Sequence, residues 1–232
     1  MTDEHQQERG PDQAPASRTT DSKPLVLITG AAGNLGSALV SVLKDKYEIV
    51  GFDIPGQEAD CELIGCDLTS DQSVHEALDK LSSRHGRSLA AVIHLAAYFD
   101  FTGQPHPLYD KLNVEGTRRL LDALQDFSVD RFIYSGTMLV HQAGDPGQPI
   151  TEETELNPKW AYPESKAAAE AAIREVHGHI PYTLLPLAGV YDETFAVPTL
   201  SEQIRRIYER NPHGHAYAGS LEVGQAFLHQ DD

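Results

Sequence analysis

The sequence is poor in cysteine and in positive charge, and it has no long apolar run. Its two cysteines, Cys61 and Cys66, do not form a Cys-x-x-Cys unit, and we interpret both as buried thiols beside a strand. No stretch of about 18 apolar residues occurs, so a membrane span is not supported. Eighteen Lys and Arg residues against 35 Asp and Glu residues give a formal net charge of −17. This charge repels phosphate backbones and therefore argues against nucleic acid as a partner.

The sequence also shows neither the residue spacing of a metal site nor a secretory signal. The pairs His177-Gly178-His179 and His213-Gly214-His215 have no cysteine or carboxylate at a matching spacing, so we expect no metal site. Residues 1–24 are rich in Gln, Asp, Pro, Ser and Thr without apolar periodicity, which predicts a disordered tail. This tail lacks the apolar core of a secretory signal, so we expect a cytoplasmic protein.

The rest of the chain alternates short β-rich runs with amphipathic stretches. Strands are expected near residues 25–29, 48–53, 62–67, 90–95, 131–135 and 182–187, and helices near 35–43, 73–82, 108–125, 162–176 and 200–210. Alternation of this length predicts right-handed βαβ units. The predicted fold class is α/β, a Rossmann-type doubly wound parallel sheet with helices on both faces, and we assign it to residues 25–187.

The alternation weakens after Leu187, and we expect residues 188–232 to be part of a small, incomplete C-terminal substrate domain. Tyr191-Asp192-Glu193 predicts a turn or loop, and residues 211–220 a loop rich in glycine and histidine. The ending, Phe227 to Asp232, does not look like a natural domain end. We therefore expect the chain to be truncated and, as it stands, not to be a competent enzyme.

A glycine-spaced segment, Gly30-Ala31-Ala32-Gly33-Asn34-Leu35-Gly36, follows the first strand and opens a helix. Gly30 permits the tight turn out of the strand, Gly33 lets the backbone approach a pyrophosphate, and Gly36 lets the helix sit close to the sheet. The helix start, with Asn34 and Leu35, offers free N–H groups and a partial positive charge to phosphates. The segment therefore predicts a dinucleotide site.

Asp53 ends the second predicted strand, about twenty residues further on, where the adenosine ribose should lie. A carboxylate there accepts hydrogen bonds from ribose hydroxyls and repels a 2′-phosphate, which favours NAD over NADP. The alternative is an aspartate that only caps the turn after the strand, because aspartate is common in turns.

Tyr162 and Lys166 lie four residues apart at the start of a predicted helix, so they share one helical face. A phenol has an ordinary pKa of about 10, which a neighbouring ammonium and a positively charged nicotinamide would lower. Tyr162 could then pass a proton to or from a substrate oxygen while hydride moves to or from the cofactor. In Ser135-Gly136-Thr137, at the end of the fifth strand, a hydroxyl either orients that oxygen or only forms a turn.

Taken in this order, the motifs resemble the extended short-chain dehydrogenase/reductases, the NAD-dependent epimerase/dehydratase family. The matching segments are residues 29–36, 53, 67–68, 94–97, 113–117, 134–137 and 162–166, and the resemblance runs from about Leu25 to the last residue. Pro186-Leu187 is a departure, because the family usually carries Arg-Pro near the end of this strand. No arginine is therefore available here for the substrate or hinge contact that it makes.

The resemblance implies a role for each matching position. Thr137 would orient the substrate, Tyr162 would be the acid/base, and Lys166 would be its partner on the nicotinamide ribose. Asn113 matches an asparagine near the active centre, or it is a structural hydrogen-bonder that braces two strands. Cofactor contacts are implied for four further positions, Asp67 and Leu68 at the adenine and Ala96 and Ala97 along the backbone that passes the cofactor.

The leading hypothesis is an NAD-dependent oxidoreductase, epimerase or dehydratase that moves hydride at a carbonyl or alcohol carbon. Its partners would be a nucleotide sugar or another small carbonyl compound and, as one allowed assembly, a second copy in a homodimer. The alternative is a non-catalytic NAD-binding sensor or interaction protein on the same fold. Relatives that lost catalysis usually lose the tyrosine or the lysine, so the presence of both favours the enzyme. The aromatic run Tyr98-Phe99-Asp100-Phe101 either walls an apolar pocket or packs under a loop.

Overall fold

The computed structural model describes residues 23–100, 102–142, 144, 147–192, 198–210, 212, 224 and 226–232. Its strands are β1 Leu25–Thr29, β2 Glu48–Asp53, β3 Glu62–Gly65, β4 Ser88–Leu89, β5 Ala91–His94, β6 Ser128–Val129, β7 Phe132–Thr137, β8 Tyr182–Leu187, β9 Gly189–Tyr191 and β10 Phe227–His229. Its α-helices are α1 Asn34–Leu43, α2 Asp71–His85, α3 Glu115–Ala123, α4 Ala161–Val176 and α5 Pro198–Tyr208. None of these helices is both long enough and apolar enough to cross a membrane.

Six strands form one parallel sheet in the order β3-β2-β1-β5-β7-β8. The chain moves outward from β1 to β3 and then continues from β5 to β8 on the other side of β1. The strand order therefore reverses between β1 and β5, and in an open α/β sheet this switch point opens a crevice at the carboxyl ends of the strands. The predicted doubly wound parallel sheet is confirmed.

Helices cover both faces of the sheet, and the alternation of side chains along β1 explains how. Leu25 and Leu27 belong to the larger core cluster, which contains apolar side chains of α2, α3 and α4. Val26 and Ile28 point the other way and pack with Val40 of α1. Every residue of β1 is buried, as expected for a strand between two helical layers.

The long helix expected over residues 108–125 is three pieces in the structure. A π-helical turn, Tyr109–Val114, leads into α3, and a 3₁₀ turn, Leu124–Asp126, follows it. A π turn inserts one residue per turn and commonly occurs at functional sites, and sequence periodicity does not reveal it. This turn ends beside Asn113, which is one of the predicted active-site residues.

Two short strand pairs were not expected from the sequence. Strand β4 pairs in parallel with β6, and β9 pairs in parallel with β10. The prediction of a turn or loop over residues 191–193 is therefore wrong at Tyr191, which ends β9 opposite His229, whereas Asp192 lies in neither a helix nor a strand. The partner of Tyr191 lies 38 positions further along the chain, so no local pattern could indicate the pairing. The predicted tail lies outside the described residues except for Lys23 and Pro24, and so does most of the predicted loop at 211–220.

Candidate active site

The turn after β1 is held tightly against the neighbouring strand ends. The N–H of Gly30 donates to the carbonyl of Phe52 at 2.8 Å, and Gly30 has a positive φ of 72°. A Cβ at Gly30 would lie only 2.9 Å from the backbone nitrogen of Ala96, so a side chain would separate the turn from the loop after β5. Gly36 is equally constrained, because its Cβ would overlap the carbonyl oxygen of Gly30 and lie 2.7 Å from the Cα of Ala31.

Free donors lie at the start of α1. Helix α1 has no side-chain cap, and the N–H groups of Asn34, Leu35 and Gly36 donate to no acceptor within the described part of the chain. A Cβ at Gly33 would meet only the Gly30 carbonyl oxygen, at 3.2 Å, and otherwise open space. Unpaired N–H groups at a helix N-terminus beside an open approach fit a pyrophosphate. The residues that were predicted to hold the cofactor phosphates therefore fit that group.

Asp53 lies at the carboxyl end of β2 and faces this turn. Its Oδ2 accepts from the N–H of Ala32 at 2.9 Å, and its Oδ1 accepts from the N–H of Ile54 at 2.8 Å. The bond from Ile54 caps the turn after β2, as the alternative interpretation expected. The bond from Ala32 connects the carboxylate to the glycine-rich turn. Asp53 also lines a cleft of about 220 Å³ between the ends of β2 and β3, with Ile54, Gly65 and four neighbouring residues. The cleft has the position expected for an adenosine.

The other predicted cofactor residues surround the same edge of the sheet. Oδ1 of Asp67 accepts from the N–H and the hydroxyl of Thr69, at 2.8 and 2.7 Å. Leu68 is buried, and its carbonyl oxygen accepts from Arg119. The N–H of Ala96 donates to the hydroxyl of Thr29 at 3.2 Å. These contacts fix the backbone around the cleft, and the cofactor contacts of Asp67, Leu68, Ala96 and Ala97 stay predictions.

Helix α4 begins at Ala161 and presents Tyr162 and Lys166 from its first turns. Lys166 is buried, and its Nζ lies 4.2 Å from the centre of the Tyr134 ring, on the ring face. Burial lowers the pKa of Lys166 to about 7. Burial also raises the pKa of Tyr162 to about 12, which is the opposite of the expected lowering. The reason is that the Lys166 ammonium sits over Tyr134, while the Tyr162 phenol has aromatic neighbours.

These neighbours come from the loop after β5 and from the π turn. The ring of Phe99 meets the Tyr162 ring edge-on at 4.5 Å, and the Tyr109 ring lies 6.4 Å from it. Phe99 is 45% exposed, although its ring packs on Tyr162. Tyr98 stacks on His106 at 4.5 Å. The run therefore packs in part, its role as the wall of an apolar pocket stays a prediction, and Phe101 lies outside the described residues.

Asn113 connects this loop to helix α4. Its Oδ1 accepts from the N–H of Tyr98 at 2.7 Å, and its Nδ2 donates to the carbonyl of Tyr98 at 3.0 Å. The same Nδ2 donates to the hydroxyl of Ser165 at 2.9 Å, and that hydroxyl donates to the carbonyl of Tyr162 at 2.7 Å. Asn113 thus braces a loop and a helix, and it fixes the backbone of Tyr162. Ser165 was not predicted, although it lies inside the Tyr-x-x-x-Lys segment.

Thr137 ends β7 and is buried, and its hydroxyl oxygen caps the following 3₁₀ turn by accepting from the N–H of Leu139 at 3.3 Å. Among the described residues its hydroxyl donates to no acceptor, and its role toward a substrate stays a prediction. Ser135 instead donates to the carbonyl of His94 at 3.1 Å, so its hydroxyl has a structural partner. Beside Thr137 lies a cleft of about 190 Å³, lined by Met138, His141, Ile150, Thr151, Glu152 and Pro186. Pro186 therefore faces this cleft at the position where the family usually has arginine.

A buried chain of hydrogen bonds joins Thr29, at the end of β1, to Asn113 through His94. Nε2 of His94 lies 2.9 Å from the hydroxyl of Thr117, which donates to the carbonyl of Asn113 at 2.7 Å. That hydroxyl must therefore accept from Nε2–H, and Nδ1 of His94 accepts from Thr29, 2.6 Å away. The geometry assigns one neutral tautomer, and burial lowers the pKa of His94 to about 3. Sequence reasoning placed His94 in a motif but could not show these partners.

This arrangement predicts a specific loss of stability in acid. Below a pH of about 6.5 the unfolded chain binds a proton at His94 that the folded chain does not bind. The free energy of unfolding should therefore fall as the pH drops from about 6.5 towards about 3, by up to about 1.4 kcal/mol per pH unit from this group. Imidazole ¹⁵N NMR should show Nε2–H and no protonation of folded His94 at pH 5. A histidine that titrates near its unfolded value in the folded protein would contradict the assignment.

The fold and the site together define a Rossmann-type dinucleotide-binding domain of the short-chain dehydrogenase/reductase kind. Residues 26–232 match the family described as "NAD dependent epimerase/dehydratase family". The match covers more than half of the chain, and the chain belongs to this family.

Similar proteins carry different activities. The chain is 30% identical over 165 residues to UDP-glucose 4-epimerase of Bacillus subtilis, covering 66% of this chain and 48% of that protein. It is 30% identical over 181 residues to NAD-dependent glucose-6-phosphate dehydrogenase of Haloferax volcanii, covering 66% and 63%. The crystal structure of UDP-glucuronic acid 4-epimerase of Bacillus cereus, in complex with UDP-glucuronic acid and NAD, has the same fold. Its TM-score is 0.70 at 23% identity, covering 89% of this chain and 69% of that chain. The chain thus spans about half to two thirds of the length of the first two relatives.

Proposed function

We propose that the protein is an NAD-dependent enzyme that transfers hydride at a carbonyl or alcohol carbon, as an oxidoreductase, epimerase or dehydratase. One observation carries the proposal. The free N–H groups at the start of α1 and the Tyr162–Lys166 face of α4 lie at the same carboxyl edge of the sheet, on either side of its switch point. Hydride transfer with a dinucleotide requires a phosphate-binding site and an acid/base residue that face the same crevice.

Each residue then has a distinct task. The N–H groups of the turn bind the pyrophosphate, Asp53 accepts from the adenosine ribose, and Lys166 donates to the nicotinamide ribose. Tyr162 holds or takes the proton of the substrate oxygen, and Thr137 donates a hydrogen bond to that oxygen. A bound dinucleotide would supply the hydride acceptor or donor, and in its oxidised form the positive charge of the nicotinamide. That charge would offset the burial that raises the pKa of Tyr162 in the chain alone.

For the substrate we propose a nucleotide sugar or another small cyclic carbonyl compound. The support is that the B. subtilis and H. volcanii relatives are named for a nucleotide sugar and a sugar phosphate. The test is to incubate the protein with NAD and a panel of UDP-sugars, dTDP-glucose, sugar phosphates and hydroxysteroids, and to follow NADH absorbance and product stereochemistry. Turnover of none of these by the full-length gene product, in a form shown to bind NAD, would refute the proposal as stated. Homodimer formation and a cytoplasmic location stay predictions, which light scattering and cell fractionation test.

A non-catalytic NAD-binding sensor is the second candidate, and one observation favours it. With a pKa of about 12, the phenol of Tyr162 stays protonated at neutral pH unless another charge lowers it. The two candidates differ in a simple measurement, the pKa of Tyr162 with NAD bound. Ultraviolet difference titration should show ionisation of this phenol near neutral pH for an enzyme and only near pH 12 for a sensor.

The position of Asp53 predicts a preference for NAD over NADP. In Asp53→Asn the side chain keeps an acceptor for the N–H of Ala32 but loses its charge. Affinity for NAD should fall on the order of tenfold or more, as expected for one charge-assisted hydrogen bond, and affinity for NADP should rise. Calorimetric titration with both cofactors measures the change. Glu58→Gln is the control, because Glu58 is an exposed carboxylate close to Asp53 in sequence. An equal or higher affinity of the unaltered protein for NADP would show the prediction to be wrong.

A further inference from the structure

Glu170 is a carboxylate buried beside the active-site lysine. It lies one turn beyond Lys166 on α4, so the two side chains share a helical face, and it is only 4% exposed. Its one ion-pair contact among the described residues is Oε2 to Nη2 of Arg174 at 3.4 Å, and the Arg174 side chain is about half exposed. Such a long contact compensates poorly for burying a carboxylate, which costs several kcal/mol in general.

Gly136 provides the space that Glu170 occupies. A Cβ at Gly136 would lie 2.8 Å from Oε1 of Glu170, so any larger residue would displace the carboxylate. Gly136 stands between Ser135 and Thr137 at the end of β7. The carboxylate is therefore seated directly beneath the strand end that carries the predicted substrate-orienting hydroxyl.

The groups that face Lys166 come from three elements. Strand β5 contributes neutral His94, β7 contributes the Tyr134 ring, and α4 contributes Glu170, while Tyr162 lies one turn before Lys166 on the same helix. Glu170 is the anion in this set, and its charge raises the pKa of Lys166 against the effect of burial. Burial in turn raises the pKa of Glu170, while Arg174, His141 and Lys166 lower it. Burial is the largest of these effects, so the pKa of Glu170 is raised overall, and Arg174 is the strongest opposing influence.

We propose that Glu170 is a positioning residue of the active site, which from its seat against Gly136 keeps Lys166 charged over the Tyr134 ring. The inference rests on the proposed function for its purpose, because Lys166 must be an ammonium to bind the nicotinamide ribose and to favour the phenolate of Tyr162. The predicted effect of Glu170 on the pKa of Lys166, however, involves only residues of this chain and can be measured without a cofactor. Without the carboxylate, a buried lysine whose pKa is already about 7 loses its remaining anionic support.

The test replaces Glu170 by Gln, which keeps the shape against Gly136 and removes the charge. The titration of Lys166 is followed by side-chain ¹³Cε NMR in the protein without cofactor, and Lys166→Met identifies the signal. We expect the midpoint to fall by about one pH unit or more. Affinity for NAD at pH 7.5 should then fall roughly five- to tenfold and recover at lower pH, as the neutral lysine is protonated again. Glu175→Gln is the matched control, because Glu175 is an exposed carboxylate on the same helix paired with Arg118.

Two further variants keep the test decisive. Glu170→Leu also removes the charge and suits a buried site, so it replaces Glu170→Gln if that variant does not fold. Glu170→Asp retains the charge and should keep the Lys166 midpoint near that of the unaltered protein. An unchanged midpoint in folded Glu170→Gln or Glu170→Leu overturns the inference, and so does an equal shift in Glu170→Asp. A shifted midpoint in a protein that turns over no substrate would uphold the role of Glu170 while refuting the proposed function.

Discussion

Tyr162→Phe is expected to leave NAD affinity within about twofold and to reduce turnover by on the order of a hundred- to ten-thousand-fold, the usual cost of losing a general acid/base. The ring of Phe would keep the edge-on contact with Phe99, and the backbone of residue 162 would keep its bond to Ser165. Only the hydroxyl, and with it the proton transfer, is removed. Steady-state kinetics with the substrate found in the panel, together with calorimetric NAD titration, measures both quantities.

Tyr109→Phe is the matched control for this prediction. Tyr109 is buried in the same aromatic cluster, and its hydroxyl lies 3.3 Å from the backbone nitrogen of Asp100 rather than at the Tyr162 hydroxyl. Turnover of this variant should stay within a few-fold of the unaltered enzyme. Lys166→Met, in contrast, should weaken NAD binding roughly tenfold or more and reduce turnover as well, because it removes a charge-assisted donor. Normal turnover by Tyr162→Phe would remove Tyr162 from the mechanism.

The parts of the fold that the sequence predicted best are those governed by local patterns. The bounds of β1, β2 and β8 agree with the predicted ranges, because short apolar runs and their flanking residues mark strands, both where the strand is buried, as in β1, and at the sheet edge, as in β8. The glycine-rich turn at residues 30–36 was predicted equally well, since the spacing of its glycines is a local pattern typical of a tight turn from a strand into a helix. Helix α2 extends beyond its predicted range at both ends, where Ser70 supplies the cap and Gly86 the stop.

The parts that were not predicted depend on contacts between distant residues. Thr29 and Thr117 are ordinary residues in sequence, and only the folded sheet brings their hydroxyls to the two nitrogens of His94. Glu170 looks like one more helical carboxylate until the structure places it against Gly136. The pKa of Tyr162 is a similar case, because burial by Phe99 and Tyr109 outweighs the lysine four residues away. A motif in the sequence indicates which residues come together. The pKa of each residue also depends on burial and on nearby charges, which only the folded structure shows.

Two glycines of the phosphate turn should separate stability from cofactor binding. In Gly36→Ala the new Cβ would collide with backbone atoms of Gly30 and Ala31, which no rotation of a side chain can relieve. We expect the free energy of unfolding to fall by about 2 kcal/mol or more, since overpacking costs about 1–3 kcal/mol and often more against backbone, while alanine regains up to about 1 kcal/mol of helix propensity. Thermal unfolding of the protein without cofactor measures this change.

Gly33→Ala is the counterpart with the opposite signature. Gly33 has a φ of −73°, which alanine adopts freely, and its Cβ would meet only the Gly30 oxygen, at 3.2 Å. Stability without cofactor should therefore change by less than about 1 kcal/mol, because a shift of a few tenths of an ångström relieves the contact. The methyl group would, however, project into the open approach where the pyrophosphate must reach the N–H groups of α1. NAD affinity should fall at least tenfold, since a blocked approach lengthens several charge-assisted hydrogen bonds at once. If Gly33→Ala bound NAD normally, or if Gly36→Ala were as stable as the unaltered chain, the tasks assigned to these two glycines would be wrong.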